Sequence, residues 1–221
     1  MIIKHQLWTS TGVLLLLLGL WGCSQPEVSQ DAPAPSSTDA VLESSADPEQ
    51  IASIVLVSGD VGQQVWQYLA DEREKLGVCA DEMNMEVSRS QSQVYQVGEQ
   101  KYLVELLCFM AAYQGNYQYV LYESPPTGVK ATLLQLRVFE PDNTGQLISR
   151  EIDELGGLPT FDPATQMLTV FTKARGVGDC GSYGQYQWTG AGFQLTQYRV
   201  KLECDGQYVD PENYPQVYPE G

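Results

Sequence analysis

Large apolar residues are distributed in three ways along this 221-residue chain. They run almost unbroken from Val13 to Leu20, grow sparse between Ser24 and Glu49, and return in periodic form from Ile51 onward. Ile51 to Val57 reads equally as a strand or as a helix opened by Asp47-Pro48-Glu49-Gln50, with Asp as cap and Pro at the first position. Beyond it the period is helical. Val61, Val65, Tyr68, Leu69 and Leu76 share one face, Asp60 is placed to cap with Gln63 three residues on, and Gly77 is placed to stop the helix. After Cys79 the period falls to two, which predicts strands over 92–97, 101–110, 117–122, 131–140, 146–151, 167–173, 182–189 and 193–202. Short turn-forming runs separate them: Gly98, Gly115-Asn116, Pro125-Pro126, Asp142-Asn143-Thr144-Gly145, Asp162-Pro163 and Gly190-Ala191-Gly192. The expected fold is α+β, mainly antiparallel β: a β-meander of about eight strands packed by an N-terminal amphipathic helix.

The first apolar run has the make-up of an export signal, with Lys4 before it and small Gly22 ahead of Cys23. It is shorter than the roughly 18 apolar residues of a membrane-crossing helix, and it ends at a cysteine. Leu20-Trp21-Gly22-Cys23 reads as a lipoprotein cleavage box, although Trp21 is bulky for its place. Lipid on Cys23 would supply the multiple acyl chains that stable anchoring needs. Ser24 after the cysteine favours the outer membrane in proteobacterial sorting. Residues 23–49 are Ser, Pro, Ala, Gln and acid, too polar to build a core. A flexible tether of roughly 25 residues has a mean span of about 28 Å. The expected organisation is a signal peptide at 1–22, a tether at 23–49 and one folded domain at 50–221.

Cleavage at that box changes the chemistry available. The single histidine, His5, leaves with the signal, which excludes hydrolases that depend on a His base, His-rich zinc sites and facial-triad iron sites. No metal or cofactor is expected. Losing Lys4 takes 12 basic side chains to 11 against 28 acidic ones, a formal net of −17 that repels nucleic acid. Four cysteines remain besides Cys23, an even count that points to disulfides in an exported chain. Folding about Gly190-Ala191-Gly192 sets Cys180 nearly opposite Cys204, which leaves Cys79 to pair with Cys108 and tie the helix end to a central strand.

The densest cluster of special residues is Lys173-Ala174-Arg175-Gly176-Val177-Gly178-Asp179-Cys180-Gly181. Arg175 and Asp179, with Tyr183 nearby, are the candidate ligand-binding residues; the alternative is a tight loop held by its own charges. Asp71-Glu72-Arg73-Glu74-Lys75 reads as a solvated helix end, and Asp142-Asn143-Thr144-Gly145 as a hairpin turn without the spaced acids of a calcium loop. Tyrosines number 13; Tyr117 and Tyr119 share a strand face, with Tyr122 on the other.

The order Phe161-Asp162, Leu168-Thr169, Arg175-Gly176-Val177-Gly178-Asp179-Cys180-Gly181, Trp188, Phe193 with Leu195, Cys204 and Tyr214-Pro215 resembles the bacterial family called domain of unknown function 1176. Cys108 followed by Ala112-Tyr113 is similar to that family's cysteine plus Ala-Tyr-Asn segment, with Gln114 in place of Asn. The resemblance covers residues 106–218. It implies an envelope location and disulfide bonding, and it carries no catalytic residue across. The expected function is that of a non-enzymatic, lipid-anchored envelope domain, either binding an envelope protein or glycan partner through its sheet or serving a structural role. The alternatives are a carboxylate-based hydrolase of cell-wall glycan or peptide, and an inhibitor of a basic lytic enzyme.

Overall fold

A computed structural model describes residues 53–80 and 82–219. The signal segment, Cys23 and the tether lie outside the described residues. Among those described, no helix is long and apolar enough to cross a membrane. The chain begins with β1 (Val55–Leu56), α1 (Asp60–Asp71), the single turn α2 (Arg73–Leu76) and α3 (Met85–Gln91). Then come β2 (Gln93–Gly98), β3 (Lys101–Met110), β4 (Gly115–Glu123), β5 (Lys130–Leu133), β6 (Leu136–Pro141) and β7 (Leu147–Ile152). It closes with β8 (Leu155–Asp162), β9 (Met167–Lys173), β10 (Gly181–Trp188), β11 (Phe193–Lys201), a short 3-10 turn (Pro211–Asn213) and β12 (Gln216–Tyr218). The fold is α+β and mainly antiparallel β, with two disulfides.

Ten strands make one antiparallel sheet in the order β1-β2-β3-β4-β8-β9-β10-β11-β12, with β5 also on β4. It is a meander interrupted once. β4 shares its second edge, giving Gly115–Tyr117 to β8 and Val120–Glu123 to β5. Between them the chain leaves the sheet as the separate hairpin β6–β7, closed at the turn where the Asp142 carboxylate accepts from the Thr144 and Gln146 amides at 2.8 and 3.0 Å. The single strand expected over 131–140 is therefore two, broken at Leu134, whose amide bonds back to the Tyr119 carbonyl at 2.8 Å.

Two apolar layers sandwich the first half of the sheet. On one side α1 presents Val65, Trp66, Leu69 and Ala70 to Val94, Val104, Leu106 and Val120. On the other, Tyr95, Leu103, Tyr119 and Leu121 meet β6 and the inner face of β8–β11, where Phe161, Leu168, Tyr186 and Trp188 are buried. Tyr95 of β2 packs edge-on against Phe161 of β8 with ring centroids 4.9 Å apart, so the sheet curls over its own inner core. This explains why β3 is apolar at almost every position from Leu103 to Cys108: both of its faces are covered.

The helix differs from its sequence reading in three details. Gly59 is the cap, with Asp60 in the first turn where its charge suits the helix dipole. Val61 is 45% exposed, because the buried stripe starts at Gly62. The helix also breaks at Glu72, so Leu76 lies on the separate turn α2, which Gly77 ends in the left-handed conformation. Cys79 bridges Cys108 and Cys180 bridges Cys204, the pairing that the hairpin geometry favours; Gly181 faces Lys201 in the ladder beside the second bridge. Closing loops of 29 and 24 residues, each bridge contributes about 3–4 kcal/mol by loop-closure entropy.

Candidate functional site

The Arg175–Gly181 loop is built as a clamp. The Arg175 guanidinium grips the Asp179 carboxylate with two hydrogen bonds, Nε to Oδ1 at 2.7 Å and Nη2 to Oδ2, and also donates to the Cys204 carbonyl at 3.0 Å. Asp179 Oδ2 accepts from the Gly206 amide at 2.6 Å as well. Lys201 closes the other side, donating to the carbonyls of Asp179 and Gln207 and to the Asp205 carboxylate at 2.7–2.8 Å. Arg175 beside it holds the Asp179 carboxyl well below the usual carboxylate range. Gly181 is required by space: with φ +146°, a Cβ there would lie 2.0 Å from the Thr172 carbonyl oxygen.

Segments carrying the family resemblance meet at this loop. The Tyr113 ring lies on Gly176 and its hydroxyl donates to the Ala174 carbonyl at 3.4 Å, while the Gln114 side chain accepts from the Lys173 amide at 3.0 Å. Tyr214 donates to the Gly178 carbonyl at 3.3 Å. Arg175 and Asp179 are thus brought together: both Asp179 oxygens are engaged by Arg175 and Gly206, while Arg175, 46% exposed, uses Nε and Nη2 in the clamp. Tyr183 stands apart on β10, buried, with its hydroxyl donating to Glu212 at 3.3 Å.

A cleft of about 730 Å³ opens elsewhere, between the helices and the edge of the sheet. Its walls are Leu56–Gly59, then Gly62, Gln63 and Trp66 of α1, then Arg89–Val94 running from α3 into β2; Pro159 of β8 and Tyr117 of β4 complete it, and Glu105 of β3 also lines it. None of Arg175, Asp179 and Tyr183 lines it. Sequence reasoning did not single out Glu105, Gln93, Arg89 or Trp66.

Hydrogen bonds fix the walls. The Trp66 indole N–H donates to Ser88 Oγ at 3.1 Å, Ser88 and Ser92 share a 3.4 Å contact, and Ser92 Oγ accepts from the Leu107 amide at 3.0 Å. This chain ties α1 and α3 to β3. Asn84 caps α3 through its side chain, and its own amide bonds to the Cys108 carbonyl at 2.9 Å, next to the first disulfide. Arg89 stacks over Trp66 at 5.7 Å and donates to Gln63 at 3.3 Å.

Glu105 is the unusual member. It is 5% exposed, and Gln93 and Tyr119 flank it across the ladder. The Tyr119 hydroxyl donates to its Oε2 at 3.0 Å; its Oε1 has no partner among the described residues, nor is it sealed from solvent. Burial pushes the Glu105 carboxyl up, against the pull of the Tyr119 bond. Tyr95 and Tyr117 are raised by burial and by the nearby carboxyl. Tyr95 donates to Gln93 Oε1 at 2.7 Å, which leaves the exposed Gln93 NH₂ without a partner among the described residues. The cleft therefore presents a carboxyl oxygen and an amide donor side by side.

A second cavity of about 330 Å³ lies between the β6–β7 hairpin and the ends of β8–β11, with Phe139, Leu155, Tyr198 and Val200 as apolar lining and Gln114 and Glu154 among its polar groups. Among the described residues no group of three or more His, Cys, Asp or Glu side chains is placed to hold a metal ion.

No solved structure matches the chain. It is similar to the uncharacterized protein YpfG of Escherichia coli (strain K12), 26% identical over 132 residues, which are 59% of this chain. The matched segment spans 35% of that protein's length. The profile described as "Protein of unknown function (DUF1176)" matches residues 26–220, taking in the clamp and the cleft alike, and the chain belongs to that family.

Proposed function

We propose that this is a lipid-anchored cell-envelope protein whose folded domain is a non-enzymatic binding module, with the cleft over Glu105 as its ligand site. One observation carries the reading. A carboxyl 5% exposed lines a 730 Å³ cleft with one oxygen held by Tyr119 and the other unpartnered among the described residues. Water reaches that oxygen in the open cleft, and a ligand that displaces the water must bring a donor of its own to meet it. The cleft has the size of small-molecule sites, about 300–1,000 Å³. Glu105 is its one lining carboxylate, whereas glycoside cleavage by paired carboxylates needs two, which favours binding over hydrolysis. The apolar run ending at Cys23 and the tether after it support anchoring.

The test uses the full chain in detergent micelles, exposed to solubilised envelope proteins and cell-wall fragments. Gln93→Trp fills the cleft from an exposed position. A component retained by the wild type and lost from the variant is the expected result. Equal retention by both proteins would remove the cleft from the function.

A further inference from the structure

Resting on that reading, the chemistry of the cleft also narrows its ligand. Gln91, Gln93 and Ser58 supply amides and hydroxyls, groups that both donate and accept, as ligand hydroxyls do, while Gln63, Ser90 and Ser92 are partly engaged by Arg89, the Val87 carbonyl and the Leu107 amide. The two ionisable partners to a charged ligand are poorly disposed to receive one. Arg89 already donates to Gln63 and lies over Trp66, and it would oppose a cation. Glu105, on a chain of net charge −16, opposes an anion. A wholly apolar ligand would cover the Glu105 carboxyl and the Gln93 amide without satisfying either.

An extended peptide is disfavoured for a separate reason. Peptides recognised by strand addition need a free sheet edge. Beside the cleft the edge of β2 is occupied, since Val55 and Leu56 pair with Gln96 and Tyr95 and the Val57 amide bonds to the Val94 carbonyl at 2.8 Å; the edges left free there are short, β1 with two residues and β8 beyond Gly157, where Pro159 has no amide to donate. Side-chain amides and hydroxyls remain to meet the ligand, next to the apolar surfaces of Tyr117, Pro159 and Leu56. A sugar ring offers that combination, hydroxyls around its rim and C–H bonds on its faces.

We propose that the cleft binds an uncharged glycan segment, with Glu105 Oε1 and the Gln93 amide meeting its hydroxyls and Tyr117 and Pro159 packing on a ring face. Toward an uncharged ligand Glu105 acts through its hydrogen bonds, and its charge discriminates only against anions.

Calorimetric titration of the full chain in micelles tests this with four probes: an N-acetylglucosamine tetramer, a neutral glucose tetramer, an oligogalacturonate and tetra-alanine. At least one neutral sugar saturates the protein. Gln93→Ala weakens that binding about tenfold, the loss of one or two hydrogen bonds. Glu105→Gln, which keeps the shape and removes the charge, stays within about threefold of wild type. Three results overturn the glycan assignment: failure of both neutral sugars, sugar binding that survives Gln93→Trp, or a loss above tenfold in a Glu105→Gln variant that remains folded. If the anionic sugar or the peptide binds instead and Gln93→Trp abolishes it, the ligand class is wrong and the cleft is still the site. If no probe binds and Gln93→Trp also leaves envelope retention unchanged, both readings fall.

Discussion

Glu105 and Asp179 are both buried carboxyls, 5% and 0% exposed, and their surroundings push them in opposite directions. For Glu105 burial dominates, so the folded state keeps its proton at pH values where the unfolded chain has lost it. Stability from this site is therefore present below its ordinary value near 4.5 and declines as pH rises from there to the raised value. Asp179 behaves in reverse. The Arg175 hydrogen bonds keep it ionised, so its contribution is present above the ordinary value near 3.8 and is lost as pH falls toward the lowered one. Denaturant unfolding across pH checks both signs. Glu105→Gln gains on wild type as pH rises above 4.5. Asp179→Asn is less stable than wild type at neutral pH, and the gap closes in acid. The clamp was legible as opposite charges four apart among glycines. Glu105 left a signal too, an acid inside Leu103-Val104-Glu105-Leu106-Leu107, where the neighbours on both faces are apolar. Such a residue reads as an exposed strand position until both faces are known to be covered.

At the scale of elements, the helix shows what periodicity conveys. Its buried stripe follows from spacing, but where the stripe starts depends on how α1 sits on the sheet. Leu69 is fully buried against β2–β4 and Val61 is 45% exposed. Leu69→Ala is expected to cost about 2–5 kcal/mol. Val61→Ala should fall within about 0.5 kcal/mol of wild type in the same denaturant titration. Strand β8 escaped the sequence reading because Gly156, Gly157 and Pro159 interrupt it. The structure tolerates that proline where β8 is unpaired on its β4 side, since β4 engages only Leu155–Gly157. Helix α3 was missed as well, being seven residues with a single buried position, Ser88. A contrast concerns Gly181. Gly181→Ala sets a methyl against the Thr172 carbonyl and should leave little folded protein by circular dichroism, whereas Gly190→Ala, with nothing within 4 Å, lowers the melting temperature by only a few degrees.

For the whole molecule, the proposed anchor and the proposed ligand site can be tested separately. Metabolic labelling with a palmitate analogue should mark the wild type and leave Cys23→Ser unmarked; label on the variant would refute the lipid site. The substitution lies outside the described fold, so glycan affinity should be unchanged. Short-range information was enough for the α+β class, the position of α1, the β10–β11 hairpin and both disulfides, because period, turn residues and the nearness of Cys180 to Cys204 across one hairpin are local properties. The tertiary structure decided the rest. That β4 divides its edge between β5 and β8, that the sheet curls to bring Tyr95 onto Phe161, and that Glu105 lines a cleft beside Gln93 all depend on segments tens of residues apart being buried together. Which long-range pairing wins is a balance of apolar burial against unsatisfied polar groups summed over the whole core, and no local window of residues contains that sum.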